Sequence, residues 1–141
     1  MSQYTRSAVQ MLKGASARYR LWPATTGVPA AGISVVSGAG AWGAYADIVA
    51  AGAIATDYWV CGFNITTVGG GAVQVMEIQV GSATETLYEF RFDPSLVTTN
   101  VSPFMVPYPI YMPSGAQLRY RAGGAAARSL EVSVLYATGL A

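Results

Sequence analysis

The sequence predicts an all-β protein: a single β-sandwich, jelly-roll-like, with about eight strands and an extended N-terminal arm. Three observations predict it. Short runs of β-branched and aromatic residues, the types that fit a pleated surface, recur from residue 32 onward. Glycine and proline clusters separate these runs at strand-length intervals. No stretch sustains the 3.6-residue apolar period of a long helix. With 141 residues there is chain for one domain, read as an arm over 1–31 and a sandwich over 32–141.

The arm differs from the body in charge and punctuation. Residues 7–12 allow one short helical turn before Gly14 interrupts it, and the segment from Trp22-Pro23 to Pro29 reads as extended, because proline disfavours helix at the residue before it. Arg6, Lys13, Arg18 and Arg20 give residues 1–20 a charge of +4 with no acid, while the rest of the chain carries −3, for a net +1. A basic leader on a mildly acidic body suits an arm that grips a neighbouring surface. Arg6, Lys13, Arg18, Arg20 and Trp22 are therefore the expected partner-binding residues of the arm. Met11-Leu12 is followed at once by Lys13-Gly14, which is not a signal-peptide pattern. No run of 18 apolar residues is present, so no spanning helix and no membrane partner are expected.

The body then reads strand by strand. Residues 33–36 form a short strand, and the glycine-rich Gly38-Ala39-Gly40 leads to a second over 45–49. Residues 58–67 are long, aromatic and β-branched; Gly69-Gly70-Gly71 breaks them before 73–80, which reads as a hairpin. Within 73–80 the apolar parity changes from Val73 and Val75 to Met76, Ile78 and Val80, a sign of a bulge or of burial on both sides. Residues 87–92 alternate, with Tyr88, Phe90 and Phe92 on one face and Glu89 and Arg91 on a wet one. Asp93-Pro94-Ser95 ends that run. Pro103, Pro107 and Pro109 mean that any strand over 101–111 sits at a sheet edge or is very short, since proline cannot donate to a ladder. After the turn at Pro113-Ser114-Gly115, residues 117–122 set Leu118 and Tyr120 against Arg119 and Arg121. Gly123-Gly124 turns the chain again, and 130–136 carries Leu130, Val132, Val134 and Tyr136 on one face.

Chemistry is sparse. There is no histidine, which removes Ser-His-Asp and Cys-His catalysis and every imidazole metal site. The lone Cys61, inside an apolar run, reads as a small buried hydrophobe, and one cysteine cannot form a thiolate zinc cluster. Gly69-Gly70-Gly71 lacks the strand-to-helix setting of a phosphate cradle. Glu77, Glu85, Glu89 and Asp93 are the candidates for a paired-carboxylate site, but Glu85, Glu89 and Asp93 fall mostly at turns or on the wet face, where solvated surface charge accounts for them. No catalytic residue, metal or cofactor is expected. The body's acidity also makes a poor footprint for nucleic acid, so Arg119, Arg121 and Arg128 read as possible subunit-interface residues. Trp22, Trp42 and Trp59 read as core or interface packing before sugar platforms. The sequons at Asn64 and Asn100 matter only in a eukaryotic secretory setting, which nothing else indicates.

What remains is composition. Charged residues make up 11% of the chain, against about 25% in ordinary soluble domains, and mean hydropathy is +0.37. So neutral a surface suits a protein whose flanks are covered by others. Against this background stand Tyr88-Glu89-Phe90-Arg91-Phe92, then Val106-Pro107-Tyr108-Pro109-Ile110-Tyr111-Met112-Pro113-Ser114-Gly115, and a closing apolar strand running from Leu130 toward Leu140. In this cast, over roughly residues 32–140, the chain resembles the small structural proteins that decorate or cement tailed-bacteriophage capsids. The resemblance implies a jelly-roll or sandwich body, an arm reaching a neighbour, a homotrimer bound to the major capsid protein on the capsid surface of the virion, and no catalysis. The alternative reading is a receptor- or glycan-binding β-sandwich module of a viral fibre or tail.

Overall fold

In a computed structural model, residues 18–23, 32–69, 75–93 and 104–139 are described. They contain strands β1 (Arg18–Trp22), β2 (Ile33–Val36), β3 (Gly38–Ala39), β4 (Ala41–Trp42), β5 (Ala46–Val49) and β6 (Tyr58–Gly69), followed by β7 (Met76–Gly81), β8 (Thr86–Phe92), β9 (Phe104–Met112), β10 (Leu118–Gly124) and β11 (Ser129–Thr138). No helix occurs among the described residues. The strands form two five-stranded sheets. In the first, β11 pairs with β6 and β6 with β9, while β1 and β2 both lie along the other edge of β11; every pairing is antiparallel. In the second, β10 pairs with β7 and β7 with β8, and the other edge of β10 is shared by antiparallel β5 and parallel β3.

The sheets face each other over an apolar core. Tyr58, Val60, Phe63 and Ile65 of β6 and Leu130, Val132 and Val134 of β11 are fully buried, and they meet Met76, Ile78 and Val80 of β7 and Leu118 and Tyr120 of β10. The Phe63 ring stacks on Tyr88 and Phe90 from the opposite sheet, with centroids 6.1 and 5.6 Å away. Three polar tips tie the layers together. The Trp22 indole donates to Ile48 O at 2.7 Å, the Tyr58 hydroxyl donates to Ala116 O at 2.9 Å, and the Tyr120 hydroxyl donates to Ile33 O. Each lets a large ring enter the core without leaving its donor unpaired.

The all-β sandwich expected from the sequence is the fold found. Several elements differ in detail. Residues 18–22, within the segment read as an arm, form β1 on β11, with Trp22 packed edge-on to Tyr136 at 6.3 Å; residues 1–17 and 24–31 lie outside the described residues. Residues 38–42 form the small β3–β4 turn around Gly40, whose φ of 67° suits glycine, and Gly40 N donates to Gly124 O at 2.7 Å. The expected hairpin across Gly69-Gly70-Gly71 is a correction: β6 belongs to the first sheet and β7 to the second, so the chain crosses between layers there. Glycines mark a break in a strand, but they do not say whether the chain returns beside itself or leaves the sheet. The true hairpin joins β7 and β8 through residues 82–85, where Ser82 Oγ accepts from the backbone of Thr84 and Glu85 at 3.3 and 3.2 Å.

Candidate binding surfaces

One strip of the outward face of the first sheet is apolar from β1 to β9. Cross-strand register aligns Tyr19 with Ala137, Ala137 with Trp59, and Trp59 with Tyr111. The neighbouring row runs Leu21, Leu135, Gly62 and Met105. Side chains directly opposite on antiparallel strands share a face, so these residues form one strip spanning four strands, about 14 Å across at the usual strand spacing. Tyr19 and Leu21 are each 51% exposed, Met105 58% and Tyr111 52%. Polar groups bound the strip: Ser133 lies opposite Asn64 on one side. On the other, the Tyr111 hydroxyl donates to Asp57 Oδ2 at 3.0 Å and Ser114 N donates to Asp57 Oδ1 at 2.8 Å. The Asp57 carboxylate, accepting that bond, raises the Tyr111 phenol above its ordinary range.

The strip is extended by a knuckle in β9. Val60 pairs with Ile110 and Gly62 with Met105, so four β9 residues stand opposite Cys61 alone. Pro107 and Pro109 fall in this interruption, where their missing N–H groups cost no ladder bond. Tyr108, held between them, is 72% exposed, the most exposed large hydrophobic among the described residues. Cys61 itself is buried, and burial pushes its thiol up.

The outward face of the second sheet is built differently. Arg119 and Arg121 of β10 both approach the Tyr45 ring, 4.1 and 4.6 Å from its centroid, and Arg121 also sits 5.2 Å from the centroid of Trp42. One donor of each is also engaged: Arg119 Nε donates to Ser82 O at 2.8 Å and Arg121 Nε to Gln79 Oε1 at 2.7 Å. Gln79 in turn donates to Glu89, which accounts for a buried glutamine on the outer face of β7 and for that strand's burial on both sides. Beside this network, Glu77 and Arg91 form an ion pair at 2.5 Å. Two adjoining hollows, of about 630 and 290 Å³, share Trp42, Glu77 and Arg91 in their walls.

The expected site residues are thus dispersed. Arg6 and Lys13 lie outside the described residues, and Arg18 opens β1. Arg20 is exposed on the same side of β1 as Trp22, while Trp22 points into the protein's own interior. Arg119 and Arg121 share the outer face of β10, and Arg128 is buried at 7% exposure, its Nε directed at Gly69 O, 3.5 Å away. Arg128 is thus buried, whereas the other two lie on the outer face of β10. The residues of the outward strip were not singled out from sequence, because their alignment depends on which strands pair. Among the described residues no group of three or more metal-binding side chains comes together.

The chain matches no family model, no curated protein and no solved structure. Its faces must be interpreted from their own chemistry.

Proposed function

We propose that the chain is a non-enzymatic virion structural protein that decorates and cements a tailed-bacteriophage capsid. In this reading it sits on the capsid surface as a homotrimer and binds the major capsid protein across subunit junctions. The observation that carries the reading is the edge-to-edge apolar strip, with the Tyr108 knuckle at its margin. Large contiguous apolar areas with a polar rim mark protein contacts, and aromatic anchors held rigidly lose little entropy when they dock. The basic residues 1–20 then act as a second attachment, drawn to acidic patches on a neighbour.

The strand order supports a jelly roll as the finer description of the fold. β2, β11, β6 and β9 make one layer and β5, β10, β7 and β8 the other, all antiparallel. In chain order these eight strands alternate between layers except at the β7–β8 hairpin, as a rolled pair of Greek keys does.

Binding to purified capsids of the cognate phage, stripped of this protein, tests the function. Wild-type chain should co-sediment with the shells. The double variant Met105→Ser/Tyr111→Ser, changed only at exposed positions, should bind at least about tenfold more weakly, a loss of about 1.4 kcal/mol. Equal binding by the two proteins, or no binding by the wild type, overturns the proposal.

A further inference from the structure

The two hollows on the second sheet lie on the side of the sandwich opposite the apolar strip, so capsid docking leaves them open. We infer that they form a binding groove for a neutral oligosaccharide.

Gly123 and Gly124 line the larger hollow, and a Cβ at Gly123 would come within 3.3 Å of the Trp42 indole and 3.1 Å of Ala41 O. Glycine there keeps the base flat and lets the indole lie close to the backbone of β10. The Arg121 guanidinium packs on the Trp42 ring, 5.2 Å from its centroid, and is itself held by Gln79. The result is a pre-positioned aromatic wall, and an immobile platform costs little ordering entropy on binding. Val75, 54% exposed, lines the larger hollow with it.

Polar groups meet the groove at its centre. Arg91 Nε and Nη2 both donate to Glu77 Oε1, at 3.0 and 2.5 Å. Among the described residues, no hydrogen bond engages Glu77 Oε2 or Arg91 Nη1, which leaves an acceptor and a donor side by side. Adjacent donor and acceptor sites match the vicinal hydroxyls of a sugar ring, whose apolar face suits an indole. The volume of about 630 Å³ falls within the range of about 300–1,000 Å³ typical of small-molecule sites. Because the smaller hollow continues past the same Trp42, Glu77 and Arg91, the groove accommodates linked rings better than a single one. Charge selects against anions: among the described residues, Glu77 and Glu89 line the smaller hollow with Arg91 as its one cation.

Isothermal titration and backbone chemical-shift mapping of the full chain with maltotriose, cellotriose and N,N′-diacetylchitobiose, and with inorganic phosphate as the anionic control, test the inference. At least one saccharide should bind saturably, with Kd between about 0.1 and 10 mM, and shift resonances of Trp42, Gly123 and Gly124. Trp42→Ala should weaken that binding at least about tenfold. Should Trp42→Ala fail to fold, Glu77→Gln at the exposed ion pair serves instead and should weaken binding severalfold, while Met105→Ser/Tyr111→Ser leaves it unchanged. Absence of binding by all three saccharides, shifts confined to the opposite face, or a response to phosphate alone each overturns the assignment. None of these results bears on capsid binding, so the two proposals fail separately.

Discussion

Two buried phenols set how the molecule responds to alkali. Tyr58 and Tyr120 are fully buried, and each spends its hydroxyl proton on a backbone carbonyl. Burial pushes the Tyr58 phenol up to about 12, and burial followed by the Glu131 charge raises Tyr120 further. The folded state holds these protons more tightly than the unfolded chain, whose tyrosines ionise near 10. Their contribution to stability is therefore complete below about pH 10 and is lost as the pH climbs through about 12. Urea unfolding followed from pH 8 to 12 should show a midpoint that falls steeply above about pH 10. Tyr58→Phe should lower the midpoint at pH 8 by the equivalent of about 1 kcal/mol, the value of one hydrogen bond, and make the alkaline fall shallower. At this scale the sequence was informative where alternation governs: Arg119 and Arg121 share a face, Glu89 and Arg91 are exposed, and Cys61 is buried, as their neighbours implied. Arg128 was misleading because it precedes β11 in irregular chain, where no alternation tells inside from outside. Its backbone N–H donates to Ser37 Oγ at 2.9 Å, a pairing across 91 residues with no local trace.

At the scale of elements, β1 is the piece whose role changed most. Its backbone completes the upper edge of β11, its Tyr19 and Leu21 supply one margin of the outward strip, and its Trp22 closes the core against Tyr136 and Ile48. Two truncations should therefore separate arm from body. Deleting residues 1–17 should leave the urea midpoint unchanged, whereas deleting 1–22 should cost about 2–4 kcal/mol, in line with removal of a large aromatic from a core. Equal stability of the two products would show that β1 adds nothing to the fold. The sequence around Trp22 hid this because Trp-Pro reads as extended chain with or without a sheet beside it. By contrast, β9 was legible in advance. The prolines of 101–111 allowed an edge strand or a very short one, and among the described residues β9 is a nine-residue strand that pairs with β6 alone. The β6–β7 connection was not legible, since sheet membership depends on pairings with β9, β10 and β11 that lie far along the chain.

Across the whole molecule, the sandwich separates two kinds of surface. One is apolar, aromatic and bounded by Asp57, Ser133 and Asn64; the other is a cation–aromatic and carboxamide network beside a groove. The low charge content gave no hint of which face would be apolar, because the answer is written in register. The same register has a practical consequence at the β11 edge. Trp22 pairs with Val134 and Ile33 with Val132, so the chain departs and returns two residues apart on one partner strand. Both ends are fastened independently of what joins them. Lengthening a closed loop between two fastened ends costs about 0.6 kcal/mol of entropy for each doubling. A ten-residue glycine–serine insert between residues 27 and 28 should accordingly shift the urea midpoint by less than the equivalent of about 1 kcal/mol, and a larger loss would show that the connection itself is packed. With that tolerance, the molecule becomes a carrier: a foreign peptide could be displayed from this edge while the scaffold beneath it stays as it was.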